Sequence, residues 1–180
     1  FLYNLINNGL NEKFDNSVIS LMSEGYYGSL LKKKKIPVFS LNLNRGQITF
    51  YAIKRLRKIL IEQKPDIAQG WMYHGNLAAL LGTIMLKKKI KLSWAIRLSL
   101  EIFKIMKFKT RSAIKLGSYL SRIPDLIIYN SIRSLNQHRD IGFNKNKDFF
   151  IPNGFDTIAW KPDDKIRHIV RDSLGIPKTT

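Results

Sequence analysis

Four short groups of residues combine polar chemistry with positions where apolar runs end. The first is Tyr73-His74-Gly75-Asn76, in which the imidazole of His74 could hydrogen-bond a ligand hydroxyl or satisfy the backbone of a turn. The second is Arg97 with Leu98 and Ser99. A guanidinium can give two parallel hydrogen bonds to a phosphate, which an ammonium cannot reproduce, or it can pair with an acid such as Asp156. The third is Asn130-Ser131, suited to capping a following helix or to touching a ligand. The fourth is Ile151-Pro152-Asn153-Gly154-Phe155-Asp156. There Pro152 removes a ladder donor, and Asn153-Gly154 are expected to supply the positive-φ positions of a tight turn. Asp156 is expected to fix that turn by accepting backbone N–H groups.

Whatever positions these groups must be an alternation of strands and helices. Short apolar, β-branched runs at 16–21, 36–41, 67–71, 91–96, 126–130 and 148–151 read as six strands. Between them lie helical patterns: an opening helix with Leu2, Leu5, Ile6 and Leu10 at helical spacing, then 28–35, 48–63, 76–87, 112–123 and 132–141. In 48–63, residues Ile48, Ala52, Ile53, Leu56, Ile59 and Leu60 share one face. Strands this short and this apolar, separated by helices, predict a doubly wound, mostly parallel α/β sheet. Ligands of such sheets bind beyond the carboxyl ends of the strands, where the four polar groups fall.

Composition narrows the classes further. Hydrophobic residues at 44% with charged residues at 24% describe a globular chain. There is no cysteine, which removes disulfides and thiolate metal sites, and three histidines lack metal-ligand spacing. The longest apolar run, 77–86, is ten residues and too short to span a bilayer. Lys and Arg number 31 against 13 acids, a net charge of +18. Eleven of the basic residues and a single acid, Glu101, fall within 67–124. A field of that sign attracts phosphates on nucleic acid, anionic lipid or a nucleotide, although lysine is also ordinary surface filler. The stretch 101–109 mixes bulky apolar groups with lysines and fits either an anionic membrane surface or a loop tucked against the domain. Arg167 and Arg171, four apart, read as a solvated helix face.

The string Ile151 to Asp156, followed by Trp160-Lys161-Pro162, resembles the hinge closing the N-terminal domain of family 4 retaining glycosyltransferases, which have the two-domain GT-B fold. Trp71-Met72-Tyr73-His74-Gly75-Asn76-Leu77, Trp94-Ala95-Ile96-Arg97 and Tyr129-Asn130-Ser131 are similar to further segments of that family, in the same order. The likeness spans essentially the whole chain.

The resemblance implies a Rossmann-like acceptor-side domain over 1–156, with 157–180 forming the hinge exit and the start of a C-terminal donor domain. It implies transfer of a sugar from a nucleotide-sugar donor to a glycan or lipid-linked acceptor, with retention of configuration and without a bound metal or cofactor. His74 and Arg97 would stand at the chemistry. Tyr73, Gly75, Asn76, Asn130 and Ser131 would line the acceptor side, and Asn153, Gly154, Phe155 and Asp156 would form the hinge. The implied setting is cytoplasmic surface-polysaccharide or glycolipid synthesis, peripheral at the inner face of the plasma membrane. The chain departs from the pattern in lacking a first strand with its glycine-rich loop and the paired glutamates of the donor domain, and in carrying Arg97 where many members have histidine. By itself it is therefore expected to be inactive. A non-catalytic glycan- or partner-binding GT-B relative, or a basic nucleic-acid-binding module, would also account for parts of the pattern. Neither a helix-turn-helix nor an aromatic RNP signature is present, so no specific nucleic acid is expected.

Overall fold

The computed structural model describes residues 1–44, 49–84, 86–158 and 160–177. Six parallel strands alternate with helices. They are β1 (Val18–Ser20), β2 (Val38–Ser40), β3 (Ile67–Trp71), β4 (Lys91–Ile96), β5 (Leu126–Tyr129) and β6 (Asp148–Phe150). The helices are α1 (Leu2–Leu5), α2 (Asn11–Lys13), α3 (Gly25–Lys33), α4 (Phe50–Gln63), α5 (Met72–Thr83), α6 (Phe108–Leu120), α7 (Ile132–Asp140) and α8 (Asp164–Ser173). The opening helical run is not straight: Asn8 and Gly9 leave helical geometry between α1 and α2, and Gly9 supplies a φ of 103°.

The expected parallel α/β architecture is present, and its sheet is divided. β1 pairs with β2, while β3, β4, β5 and β6 form a second sheet in that order, all neighbours parallel. Both pieces rest on one helical layer. Leu56, Ile59 and Leu60 of α4 and Ala78 of α5 pack with Ile19 and Phe39 from the small sheet and Ala68 from β3. The other face of β1 and β2, through Val18 and Val38, packs on Ile6, Leu31 and Ile36. Helices thus cover both faces of that pair, as double winding requires. Among the described strands, β1, β2, β3 and β6 each keep one unpaired edge.

The main core lies on one face of the larger sheet. Trp94 and Ile96 of β4, Ile127 and Tyr129 of β5 and Ile114 of α6 are at most 1% exposed. Side chains of this size each contribute roughly 1.5–3 kcal/mol of burial. Outer positions such as Ile67 and Phe149 stay exposed, so the sheet is less fully covered than its apolar strands suggest.

Several element boundaries shift for identifiable reasons. Ile48 lies outside the described residues, and α4 begins at Phe50, where the Thr49 side chain accepts from the Ala52 N–H. α5 begins at Met72, four residues before the expected start. Met72 takes a φ of 59°, so the chain reverses within one residue of the strand end and needs no loop. α6 starts at Phe108, absorbing residues assigned from sequence to a connection.

Candidate functional site

The carboxyl edge of the larger sheet is where β3, β4, β5 and β6 deliver the four polar groups. β3 ends at Trp71 and passes directly into α5, so His74 and Gly75 sit in a first helical turn. This junction is close-packed. A Cβ on Gly70 would stand 2.5 Å from the Asn76 Cα and 2.8 Å from its backbone N. Only glycine lets α5 lie that near the strand. Once its amide is oriented to suit its neighbours, the Asn76 side chain donates to the carbonyls of Gly70 (2.8 Å) and Met72 (3.2 Å). Trp71, the α5 N-cap residue, gives no side-chain hydrogen bond, so the first N–H groups of the helix keep donor capacity at this edge.

Arg97 follows β4 and ties the edge together. Its guanidinium carbon lies 3.5 Å from the Phe1 ring centroid and 5.6 Å from that of Trp71, whose rings are 5.9 Å apart. An Nη2 hydrogen bond to Asn153 Oδ1 joins β4 to the segment leaving β6. Partial burial lowers the Arg97 pKa, yet a guanidinium remains cationic. The acid pairing considered for Arg97 is not its contact here. Asn153 takes that place, and Asp156 Oδ1 accepts from the Ile158 N–H at 3.0 Å.

At the β6 exit, the Ile151 N–H makes a ladder bond to the Tyr129 carbonyl (2.9 Å), and Pro152 then ends donation as expected. The turn geometry expected at Asn153-Gly154 is absent. Neither residue has positive φ, and a Cβ on Gly154 would meet nothing within 4 Å. The chain leaves without regular structure through exposed residues 151–156, so no sharp reversal calls on glycine. Positive φ outside glycine instead falls at Lys35, Asn42, Lys64 and Met72.

The remaining candidates separate by depth. His74, Gly75, Asn130 and Ser131 are half-buried at the strand ends. Ser131 caps α7, its hydroxyl accepting from the Ser134 N–H at 3.4 Å. Tyr73 and Asn76 are interior, at 4% and 2% exposure. Phe155 is exposed beyond the sheet.

Tyr73 leads to a buried polar relay among residues that sequence reading did not single out. Its hydroxyl donates to His138 Nε2 at 2.9 Å, while His138 Nδ1–H donates to the Ser134 carbonyl at 2.7 Å. These partners assign the neutral Nδ1-protonated tautomer. The Ser134 hydroxyl donates to the Leu98 carbonyl at 2.7 Å, and the Leu100 N–H donates to Gln137 Oε1 at 2.7 Å. α7 thereby holds the strand exit that carries Arg97. Desolvation pushes His138 down to about 4 and raises the Tyr73 hydroxyl, keeping both neutral. The available signal was the helical spacing of Ser131, Ser134, Leu135 and His138, which marks one face of α7.

Beyond Leu100 the chain borders an open cleft of about 520 Å3, lined by residues 100–105 with Gln137, Asp140 and Ile141. Phe103 and Met106 tuck against the core, while Ile102 and Ile105 face outward. Among the described residues, no three His, Cys, Asp or Glu side chains stand together as metal ligands.

No family model matches this chain, and no curated protein sequence does. Solved structures do. The chain is similar to Anabaena Alr3699/HepE in complex with UDP and glucose, at 18% identity and a TM-score of 0.68, over 97% of this chain and 45% of that one. It is likewise similar to the same Anabaena protein in complex with UDP-glucose, at 21% identity and a TM-score of 0.68, over 95% and 45%. The chain thus spans less than half the length of these structures. The fold is the Rossmann-like α/β arrangement of a GT-B half.

Proposed function

We propose that this chain is the acceptor-side half of a GT-B glycosyltransferase of the family 4 type. The parent would move a sugar from a nucleotide-sugar donor to a glycan or lipid-linked acceptor with retention. The observation that carries this reading is the gathering of His74, Arg97, Asn130-Ser131 and Asn153 at one carboxyl edge, on a fold shared with structures holding UDP-glucose. In this reading residues 1–156 form the acceptor domain, and 157–180 enter a second domain that holds most of the donor. α8 fits that role, since none of its residues is buried and Ile166, Ile169 and Val170 lie open.

Each side chain has a task consistent with its geometry. His74 and the free N–H groups opening α5 would orient an acceptor hydroxyl or a developing negative charge. Arg97 links that edge to Asn153, so motion of the 153–156 hinge changes what the guanidinium can reach. Closure about the hinge would align the reactants and exclude water. Tyr73 and Asn76 serve from below by fixing the first turn of α5, and Ser131 by capping α7. The nucleotide sugar is a substrate, and the reading includes no metal or cofactor.

The test is to express the polypeptide from its natural start codon to its natural stop, with a panel of nucleotide sugars and glycan or glycolipid acceptors. NMR of the product's anomeric proton should show retained configuration, and Arg97→Ala should lower turnover. An inverted product would remove the retention claim. Absence of transfer with every donor, despite saturable glycan binding, would replace this reading with a binding protein.

A further inference from the structure

The helix α6 is built inside out. Its inward face consists of Ala113, Ile114 and Gly117, and Gly117 sits so near Phe143 that a Cβ there would lie 3.4 Å from the ring. Its bulkiest apolar side chains point the other way. Phe108 and Tyr119 are 74% and 82% exposed, Leu116 lies beside them, and Ile105, just upstream, is 82% exposed. At 100° per residue, Phe108, Ser112, Lys115 and Tyr119 form one stripe along a helix roughly 20 Å long.

The charges around this stripe have one sign. Lys104, Lys107, Lys109, Arg111, Lys115 and Arg122 surround it, and no acid occurs from Ile102 to Pro124. The carboxylates on either side are already occupied: Glu101 pairs with Arg133 at 3.0 Å, and Asp125 with Lys91 at 3.1 Å. Among the described residues none of the six cations joins an ion pair. Among the described residues no helix is long and apolar enough to cross a membrane.

We propose that the outer face of α6, with residues 102–107, docks on an anionic lipid surface, Ile105, Phe108, Leu116 and Tyr119 entering the interface and the six cations meeting lipid phosphates. The pattern of bulky apolar residues flanked by lysine and arginine is that of a helix lying in the interfacial plane. A nucleic acid would satisfy the cations but leaves Ile105, Leu116 and Ile123 without a partner. The inference stands on this face alone and is independent of the sugar-transfer reading. The segment follows β4, the strand that leads to Arg97.

The experiment is co-sedimentation of the full chain with phosphatidylcholine vesicles, with and without phosphatidylglycerol, at near-physiological salt. Binding is expected only with the anionic lipid. Phe108→Ser with Tyr119→Ser should weaken it about tenfold or more. Lys104→Gln, Lys107→Gln and Lys109→Gln together should weaken it about a hundredfold, from roughly fivefold per cation. The same change at Lys33, Lys34 and Lys35 should leave it unaltered. All of these positions are exposed, and circular dichroism verifies that each variant is folded. The proposal is overturned if the aromatic pair has no effect, if the control lysines matter equally, or if duplex DNA displaces the protein at matched phosphate concentration. The last result would mark a general polyanion binder.

Discussion

Acidification should destabilise this fold through His138. The ring is fully buried, accepts from Tyr73, donates to the Ser134 carbonyl, and has Tyr129 and Phe143 against it. Protonation would place a charge there and turn Nε2 into a donor facing a hydroxyl. The folded pKa is lowered to about 4 from 6.5. A histidine depressed in the folded state binds its proton more readily when unfolded, so its stabilising contribution is present above the unfolded value and lost as pH falls toward the folded one. The full difference corresponds to about 3 kcal/mol, and the interval from about pH 7 to about pH 5 captures about 2 kcal/mol of it. The lowered carboxyls of Asp125 and Glu24 add their losses mainly below that interval. Urea unfolding across this pH range should show the midpoint falling with an unchanged slope. His138→Gln, which cannot titrate, should be less stable at neutral pH and nearly flat between the two. A wild-type loss below about 0.5 kcal/mol, or an equal loss in the variant, would refute the burial argument.

Gly70→Ala should destabilise by about 2 kcal/mol or more, because its methyl would press on the α5 backbone rather than on a movable side chain. Urea unfolding measures this, and a change near zero would mean that α5 shifts freely. Gly154→Ala should stay within about 0.5 kcal/mol of wild type, since nothing lies near its Cβ position and its φ is ordinary. Thr49→Ala should cost about 1 kcal/mol by removing the side-chain acceptor at the start of α4. Fraying of that helix should appear as faster amide exchange at Ala52.

The parallel α/β order was readable because each strand is a short apolar run ended by a polar break. β3 and β4 match their expected bounds. The placement of Arg97 and Asn130 at strand ends was readable for the same reason, since both stand immediately after apolar segments. Three features were hidden. Non-glycine positive φ at Met72 has no residue-type signature, so the start of α5 was placed too late. Asn153-Gly154 carries the composition of a tight turn, yet Pro152 and an extended, exposed exit leave that capacity unused. His138 looks like any lone polar residue on a charged helix until Tyr73, 65 positions away, is brought to its ring nitrogen. Long-range pairing of that kind leaves only a burial pattern in the sequence.

The division of the sheet has a mechanical meaning. From β3 to β6 every strand is bonded to the next, so one hydrogen-bonded ladder carries load across that half. Among the described residues no ladder joins β1 to β3, and the halves are held by side chains: Ile19 and Phe39 on one side and Ala68 on the other, resting on α4 and α5, with Phe1 against Trp71 and Arg97. Apolar contacts slide where ladders resist, so this line is the compliant seam of the molecule. The β1–β2 unit with α3 is expected to open more readily than the β3–β6 half, as a block that exchanges its amides first. A strand laid into the seam would convert two blocks that part separately into one that yields only as a whole.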